Sequence, residues 1–431
     1  MSAPVTTESV HSPDAPASDA PLRGKVGNGR LVAAFAVAAL AWAVPFIGSI
    51  VVLLPAKLTE LDAVAQPVNL GIVSIVGSVV ALISNVVFGA LSDRSRTRIG
   101  GRTGWIIAGG IGMSISVLAL SATNTFALFL LVWCVMQMFL NMYLAPMTAV
   151  IADRVAPKRQ GLISGVLGAG TALAQSLGAI IGGSFVSNPD AGFLIFAIFP
   201  VVFATAFVLL APDTSNLDVP KPKLTARVFF EAFSFPTKGV RDYYWAFAGR
   251  FLLILGYFMV SLFQLNILVS YLGLEASGAG ALIQLSGLIG LVTGVLTGLV
   301  IGPISDRLGK RKPMVILATV LVGIGLIFPM VSPTAVSMIL FWTIAGVGMG
   351  AYWAVDVALV VQLLPNTATQ AKDLGILNLA NTGGQIVAPA VSAIIVATSA
   401  QGGDSYQTIF IVALVFVVAA AACILPIKSA K

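Results

Sequence analysis

Arg250 and Asp356 are each a charge set inside a stretch of otherwise apolar residues. Burying a charge away from water is costly unless it is paired, so a charge that persists in such a setting has a partner or a use. Arg250, Tyr257, Ser261 and Gln264 recur at i, i+7, i+11 and i+14, which is one face of a helix. Gly348, Tyr352 and Asp356, at i, i+4 and i+8, share another. Each charge lies about seven residues, or roughly 10 Å at about 1.5 Å per residue, from the same end of its run. An Arg250–Asp356 ion pair is therefore expected; the alternative is that Arg250 snorkels to the surface. Asp356 is the one acid deep in any apolar run, and so the carboxyl best placed to carry a proton. The single histidine, His11, falls in the N-terminal stretch. That excludes histidine metal sites, Ser-His triads and histidine relays. With no nucleophile–base pair or metal cluster in view, the reading is not an enzyme, without metal or cofactor.

The elements that must position these residues are long and apolar. Of 431 residues, 58% are hydrophobic and 10% charged, against about 25% charged in a soluble domain. A chain so poor in charge must present most of its surface to lipid. Apolar runs occur at 31–54, 68–91, 104–122, 126–150, 162–187, 192–211, 244–270, 278–302, 314–331, 334–362, 374–399 and 407–426. About 20 residues cross a bilayer, and continuous spans of this kind are helices. The expected fold is an all-α membrane protein with twelve transmembrane helices in two six-helix bundles. Residues 1–29, rich in Ala, Pro, Ser and Thr, are expected to be a disordered tail. The bundles are expected at 30–211 and 244–427, joined by a charged central loop at 212–243. Of the 24 basic residues, all but Lys57 and Arg250 fall in the tails or in loops on the side of the termini. By the positive-inside rule, both termini are then cytoplasmic, in a multi-pass protein of the cell membrane. The net charge of +7 is thus a topology signal, and no nucleic-acid partner is expected.

A repeat divides the chain. Gly89-Ala-Leu-Ser-Asp93-Arg94 has a near copy at Gly302-Pro-Ile-Ser-Asp306-Arg307, and each ends an apolar run and opens a basic loop. Tyr143-Leu-Ala is echoed by Tyr352-Trp-Ala at nearly the same offset. Two matches at one offset point to duplication. The sequence resembles the major facilitator superfamily, whose signature is this loop between helices 2 and 3, over about residues 30–427. The longer first copy, Ser92-Asp93-Arg94-Ser-Arg96-Thr-Arg98-Ile-Gly100-Gly-Arg102, is similar to that of glycoside–pentoside–hexuronide:cation and sucrose:proton symporters, which usually carry a second Arg where Gly101 stands. Asp93 could pair with Arg94 or Arg98, or accept from a neighbouring helix N-terminus, when the halves close at the cytoplasmic face. The resemblance implies a latch of this kind. Asp93, Arg94, Arg98, Arg102, Asp306 and Arg307 would form this cytoplasmic gate, with Asp153 and Arg154 as a partner cluster.

The resemblance also implies a central cavity lined by helices 1, 4, 7 and 10. Candidate substrate residues are Gln137, Asn141 and Tyr143 on helix 4, Tyr257 and Gln264 on helix 7, and Tyr352 and Trp353 on helix 10. Trp42, Gln284, Asn378, Asn381 and Gln385 complete the set. Amides donate and accept, and aromatic rings stack on the apolar faces of sugars; the same amides could instead join helices. The expected function is secondary active transport of a small polar solute, a sugar or glycoside, coupled to a proton through Asp356 and Arg250, by a monomer in the bilayer. Drug or metabolite efflux is the rival, and a membrane sensor that transports nothing is a third reading.

Overall fold

The computed structural model describes residues 27–217, 241–308, 311–363, 370–398 and 403–427. Within them, twelve helices are long and apolar enough to cross a membrane. The first span, α1, runs through Asn28–Gly48, a π-helical turn at Ser49–Leu53 and Leu54–Leu61. There follow α2 (Gln66–Arg94), α3 (Thr103–Ser121), α4 (Phe126–Arg154), α5 (Pro157–Gly183) and α6, which is Pro189–Phe196 continued by Ile198–Leu210. In the second half, α7 comprises Arg241–Ser261, the turn Gln264–Asn266 and a π-helical turn at Ile267–Tyr271. Then come α8 (Ala276–Leu308), α9 (Arg311–Val331), α10 (Ala335–Leu363), α11 (Gln370–Thr398) and α12 (Gly403–Ile424).

The two halves share one plan. In the first, α1 packs on α5 and α6, α4 on α2 and α3, and α3 on α6; in the second, α7 packs on α11 and α12, α10 on α8 and α9, and α9 on α12. The π-helical turns fall at equivalent places, late in α1 and α7. Pro45 lies just before the first, where its missing N–H removes a helical hydrogen bond. Leu82, Ile115, Leu131, Val292 and Val415 point outward and are exposed, as a lipid-facing surface requires. Lys57, read from sequence as a loop residue, lies instead in the last helical turns of α1. There it is 6% exposed, bonded to Asp190 of α6 at 2.7 Å and within 3.4 Å of Glu60. The two carboxylates neutralise a cation that the apolar run alone would not tolerate.

Among the described residues, the halves meet through α5 on α8 and α2 on α11, and the close approaches gather toward one end. A Cβ on Gly183 would lie 2.7 Å from the Gly280 carbonyl, and one on Gly287 would lie 2.9 Å from that of Ser176. Small residues are what allow such backbone approach. Gly71 faces Ala393 in the same manner across α2 and α11. Toward the end that bears the basic loops, a Cβ on Gly161, Gly165, Gly168 or Gly294 would meet nothing within 4 Å. Gly165 and Gly168 lie eleven residues before Ser176 and Ala179 on the α8-facing side of α5. Among the described residues, the helices that touch at one end therefore stand apart at the other, the basic end.

Candidate functional site

The central helices of each half are joined at one polar point. In the first half the Tyr143 hydroxyl, on α4, donates to the Ala38 carbonyl of α1 at 2.9 Å. In the second, Asp356 of α10 forms an ion pair and hydrogen bond with Arg250 of α7. Tyr352 is in hydrogen-bond contact with both. The repeat-matched tyrosines thus occupy equivalent places, and the second half adds a charge pair where the first uses a backbone carbonyl. Arg250, Tyr352 and Asp356 are 8%, 2% and 3% exposed, so the pair is sequestered between α7 and α10. Tyr143 is likewise in the core of the first bundle, at 1% exposed. Its hydroxyl is already satisfied by the Ala38 carbonyl.

On α4, Gln137 and Asn141 face α2. Asn141 donates to the Gln137 carbonyl at 2.9 Å and accepts from Asn85 Nδ2 of α2 at 3.1 Å. Asn85 is exposed where it meets Asn141. Sequence reasoning passed over it, although an asparagine in the middle of an apolar run was signal enough. Trp42 approaches Phe46 at 6.4 Å, and Phe46 stacks on Trp133 at 6.3 Å. Trp133 in turn covers Gly77 of α2, beside Gln137 Nε2. The result is one aromatic and amide wall on the first half. Several of its buried polar atoms lack a protein partner: Trp42 Nε1, Ser49 Oγ, Trp133 Nε1 and Gln137 Oε1. On α11, Asn381 Oδ1 is in the same state, and Gln385 is half-buried.

Other candidates are placed differently. Gln264 donates to Ser286 of α8 at 2.8 Å, and Tyr257 packs on Phe341 of α10 at 6.4 Å; both join helices within the second half. Gln284 donates to Ser184 across the seam between the halves at 3.2 Å, near the touching ends. Two residues that sequence reasoning missed complete that seam: Gln66 and Asn266 exchange two amide hydrogen bonds, at 3.1 and 2.5 Å, both side chains being buried. Trp353 is 43% exposed, edge-on to Tyr352. The side chains of Asn378 and Asp306 lie outside the described residues.

At the basic end, Asp93 pairs with neither Arg94 nor Arg98, both of which are exposed. Its partner is Arg102, at 2.6 Å, and Arg102 also bonds Asp153 Oδ2 at 3.0 Å and Ser92 Oγ at 2.6 Å. With the basic end open, the pairing thus lies within one half and runs through Arg102, another residue of the expected gate. Arg154 is buried and donates to the Ala211 and Pro212 carbonyls at 2.8 Å, where it caps the end of α6. In the second half Lys312 does the same for α12, through the Leu425 and Ile427 carbonyls at 2.7 Å. Arg307 is exposed.

Two six-helix halves that touch at one end, part at the other and enclose unmatched polar atoms define a multi-pass membrane transporter. The family model described as Major Facilitator Superfamily matches residues 31–301 and again 246–431; the chain belongs to that superfamily, whose members work by alternating access. A search of curated proteins by sequence finds no match. Among solved structures, the chain is similar to a bacterial homologue of the human lysosomal transporter Spinster in its inward-facing, unoccupied conformation. The identity is 16% over 92% of this chain and 97% of that one, with a TM-score of 0.72. It is similar also to the nucleoside transporter NupG, at 14% identity over 92% and 99% with a TM-score of 0.71. A D-xylose–proton symporter matches at 16% over 93% and 98%, with a TM-score of 0.65.

Proposed function

We propose that this chain is a secondary transporter of a small, uncharged, polyhydroxylated solute such as a sugar or glycoside. In this reading both termini are cytoplasmic, and the structure is the cytoplasm-open state. The observation that carries the reading is how polarity is distributed. The charges at membrane depth, Arg250 and Asp356, neutralise each other inside one bundle. Among the described residues, the charged side chains with an unmatched buried atom, Arg154 and Arg250 at Nε, are already bonded through their other nitrogens, whereas Trp42 Nε1, Gln137 Oε1 and Asn381 Oδ1 are uncharged and unmatched. A buried polar atom without a partner costs about 1–3 kcal/mol, which a solute hydroxyl recovers by bonding to it. An ionic substrate would meet no free counter-charge at these atoms. The fold itself does not choose, since it is shared with proteins named for nucleosides, peptides and D-xylose.

Proton coupling, in this reading, runs through Asp356. A proton on its carboxyl would discharge the pair with Arg250 and loosen α7 from α10. A thermal-shift screen of the purified protein against monosaccharides, glycosides, nucleosides and cationic drugs tests the substrate class. Stabilisation by a sugar or glycoside, lost in Gln137→Ala, is the expected result. Stabilisation by cationic drugs alone would favour efflux and end this reading.

A further inference from the structure

Gly101 stands where the symporter loops that this one resembles usually carry a second arginine, and the structure shows what lies against it. The chain leaving α6 turns back across the loop between α2 and α3, and Asn216 lies in a seat on that loop, 6% exposed. Its Oδ1 accepts from the Thr97 N–H at 2.9 Å, and its Nδ2 donates to the Ser95 carbonyl at 2.8 Å. Its own backbone N–H reaches the Thr97 carbonyl at 3.4 Å. A carboxamide is a copy of the peptide group, so asparagine here replaces a strand of backbone that the loop lacks. A Cβ on Gly101 would lie 2.6 Å from Asn216 Nδ2 and 2.9 Å from the Ser95 carbonyl. Gly100 has a φ of +90°, and a Cβ there would meet Asp213 Oδ2. The two glycines are therefore the seat of the strap at 213–216. Within the loop, Thr97 Oγ1 donates to the Gly100 carbonyl at 2.6 Å and Trp105 Nε1 to Ser95 Oγ at 2.7 Å. Arg102, one residue beyond the seat, is thereby fixed across Asp93 and Asp153.

We propose that Asn216 is a positioning residue of the transport cycle: it fastens the signature loop to the exit of α6, so that the loop is already shaped before the basic ends meet. It touches no solute and acts through Arg102 and Asp93. The inference rests on the reading of Asp93 as part of a closing latch. Closure of an ordered loop against the other half forfeits less conformational freedom than closure of a loose one. Loosening the strap therefore penalises the state closed at the basic end and spares the state seen here.

The test is the rate of oxidative cross-linking between Gly168→Cys and Gly294→Cys, on α5 and α8, with Cys134 and Cys423 replaced by alanine. Cross-linking samples basic-end closure even when closure is rare. Asn216→Ala and Gly101→Ala should each slow it by at least about threefold, as the loss of one net hydrogen bond implies. The double variant should be no slower than either single, because both break one contact. Asn216→Asp, which keeps the bond from Thr97 and loses the one to Ser95, should fall between wild type and alanine. Thermal midpoints should stay close to wild type, since the Asn216 side chain bonds only the loop between α2 and α3 and joins no two bundles. If Asp93→Asn slows cross-linking while Asn216→Ala leaves it unchanged, or if the two single effects add in the double variant, the inference is overturned. If Asp93→Asn changes nothing, the latch reading falls and this inference with it.

Discussion

Arg250 and Asp356 show how one residue pair sets a local balance. Their attraction in a low-dielectric interior offsets the desolvation of both charges only while both are present. Removing one should lower unfolding stability by about 3–5 kcal/mol, because the survivor is left buried and uncompensated. Arg250→Met and Asp356→Asn should each depress the thermal midpoint of the detergent-solubilised protein. The double variant Arg250→Met, Asp356→Leu should recover most of that loss while still failing to couple transport to a proton gradient. Equal midpoints for the double and the singles would show that the pair contributes no mutual stabilisation. Tyr352, touching both groups, should behave as a weaker version of either: Tyr352→Phe loses only its hydroxyl contacts, worth about 0.5–1.5 kcal/mol net.

For elements, the controlling feature is how closely α5 and α8 approach. Backbones separated by no side chain at Gly183 and Gly280 can part and meet without repacking large groups, which suits a seam that must open. A valine at Gly183 would drive its Cβ into the Gly280 carbonyl, 2.7 Å away. Overpacking of this kind costs about 1–3 kcal/mol, here charged to the state seen in the structure alone. Gly183→Val should therefore raise labelling of cysteines at the far end from the basic loops and lower transport, without loss of fold. Unchanged labelling would mean that the seam tolerates separation at that point. The amide clasp is the complementary case. Asn266→Ala leaves Gln66 buried without its partner, a cost of about 1–3 kcal/mol, and should shift labelling in the same direction.

At the scale of the whole molecule, alternating access requires that contacts at the two ends exclude each other. The structure carries one set: Gln66 with Asn266 and Gln284 with Ser184, over the glycine seam. The basic end is parted, with its charged loop satisfied inside the first half by Arg102. A solute entering from the basic end would thus meet the amide and indole wall before it met the clasp. Uptake measured in oriented vesicles under an imposed proton gradient, acid on the side opposite the basic loops, should exceed uptake without one. It should vanish in Asp356→Asn even where sugar binding survives. Gradient-independent uptake at the wild-type rate in that variant would assign the chain a uniport mechanism.

Helix number, the division into halves and the repeated loop were legible in the chain because each depends on pattern alone. Apolar length is set by bilayer thickness, basic residues by topology, and a duplication by its own spacing. The matching levels of Arg250 and Asp356 along α7 and α10, which let them pair, were legible for the same reason, since helical rise converts residue number to distance. Assignment of the amides was not. Gln137 and Gln284 look alike in sequence, yet Gln137 leaves its carbonyl oxygen unmatched within one half and Gln284 bonds across to the other. Periodicity gives the face of a helix but not which helix it meets, nor how far apart the bundles stand. The partner of Asp93 had the same cause: Arg94, Arg98 and Arg102 are equivalent in charge. Only the turn at Gly100 and Gly101, seated by an asparagine more than a hundred residues away in sequence, brings Arg102 and not the others to the carboxylates. Local chemistry is written along the chain, whereas the choice among identical groups is made by contacts between segments that the sequence holds far apart.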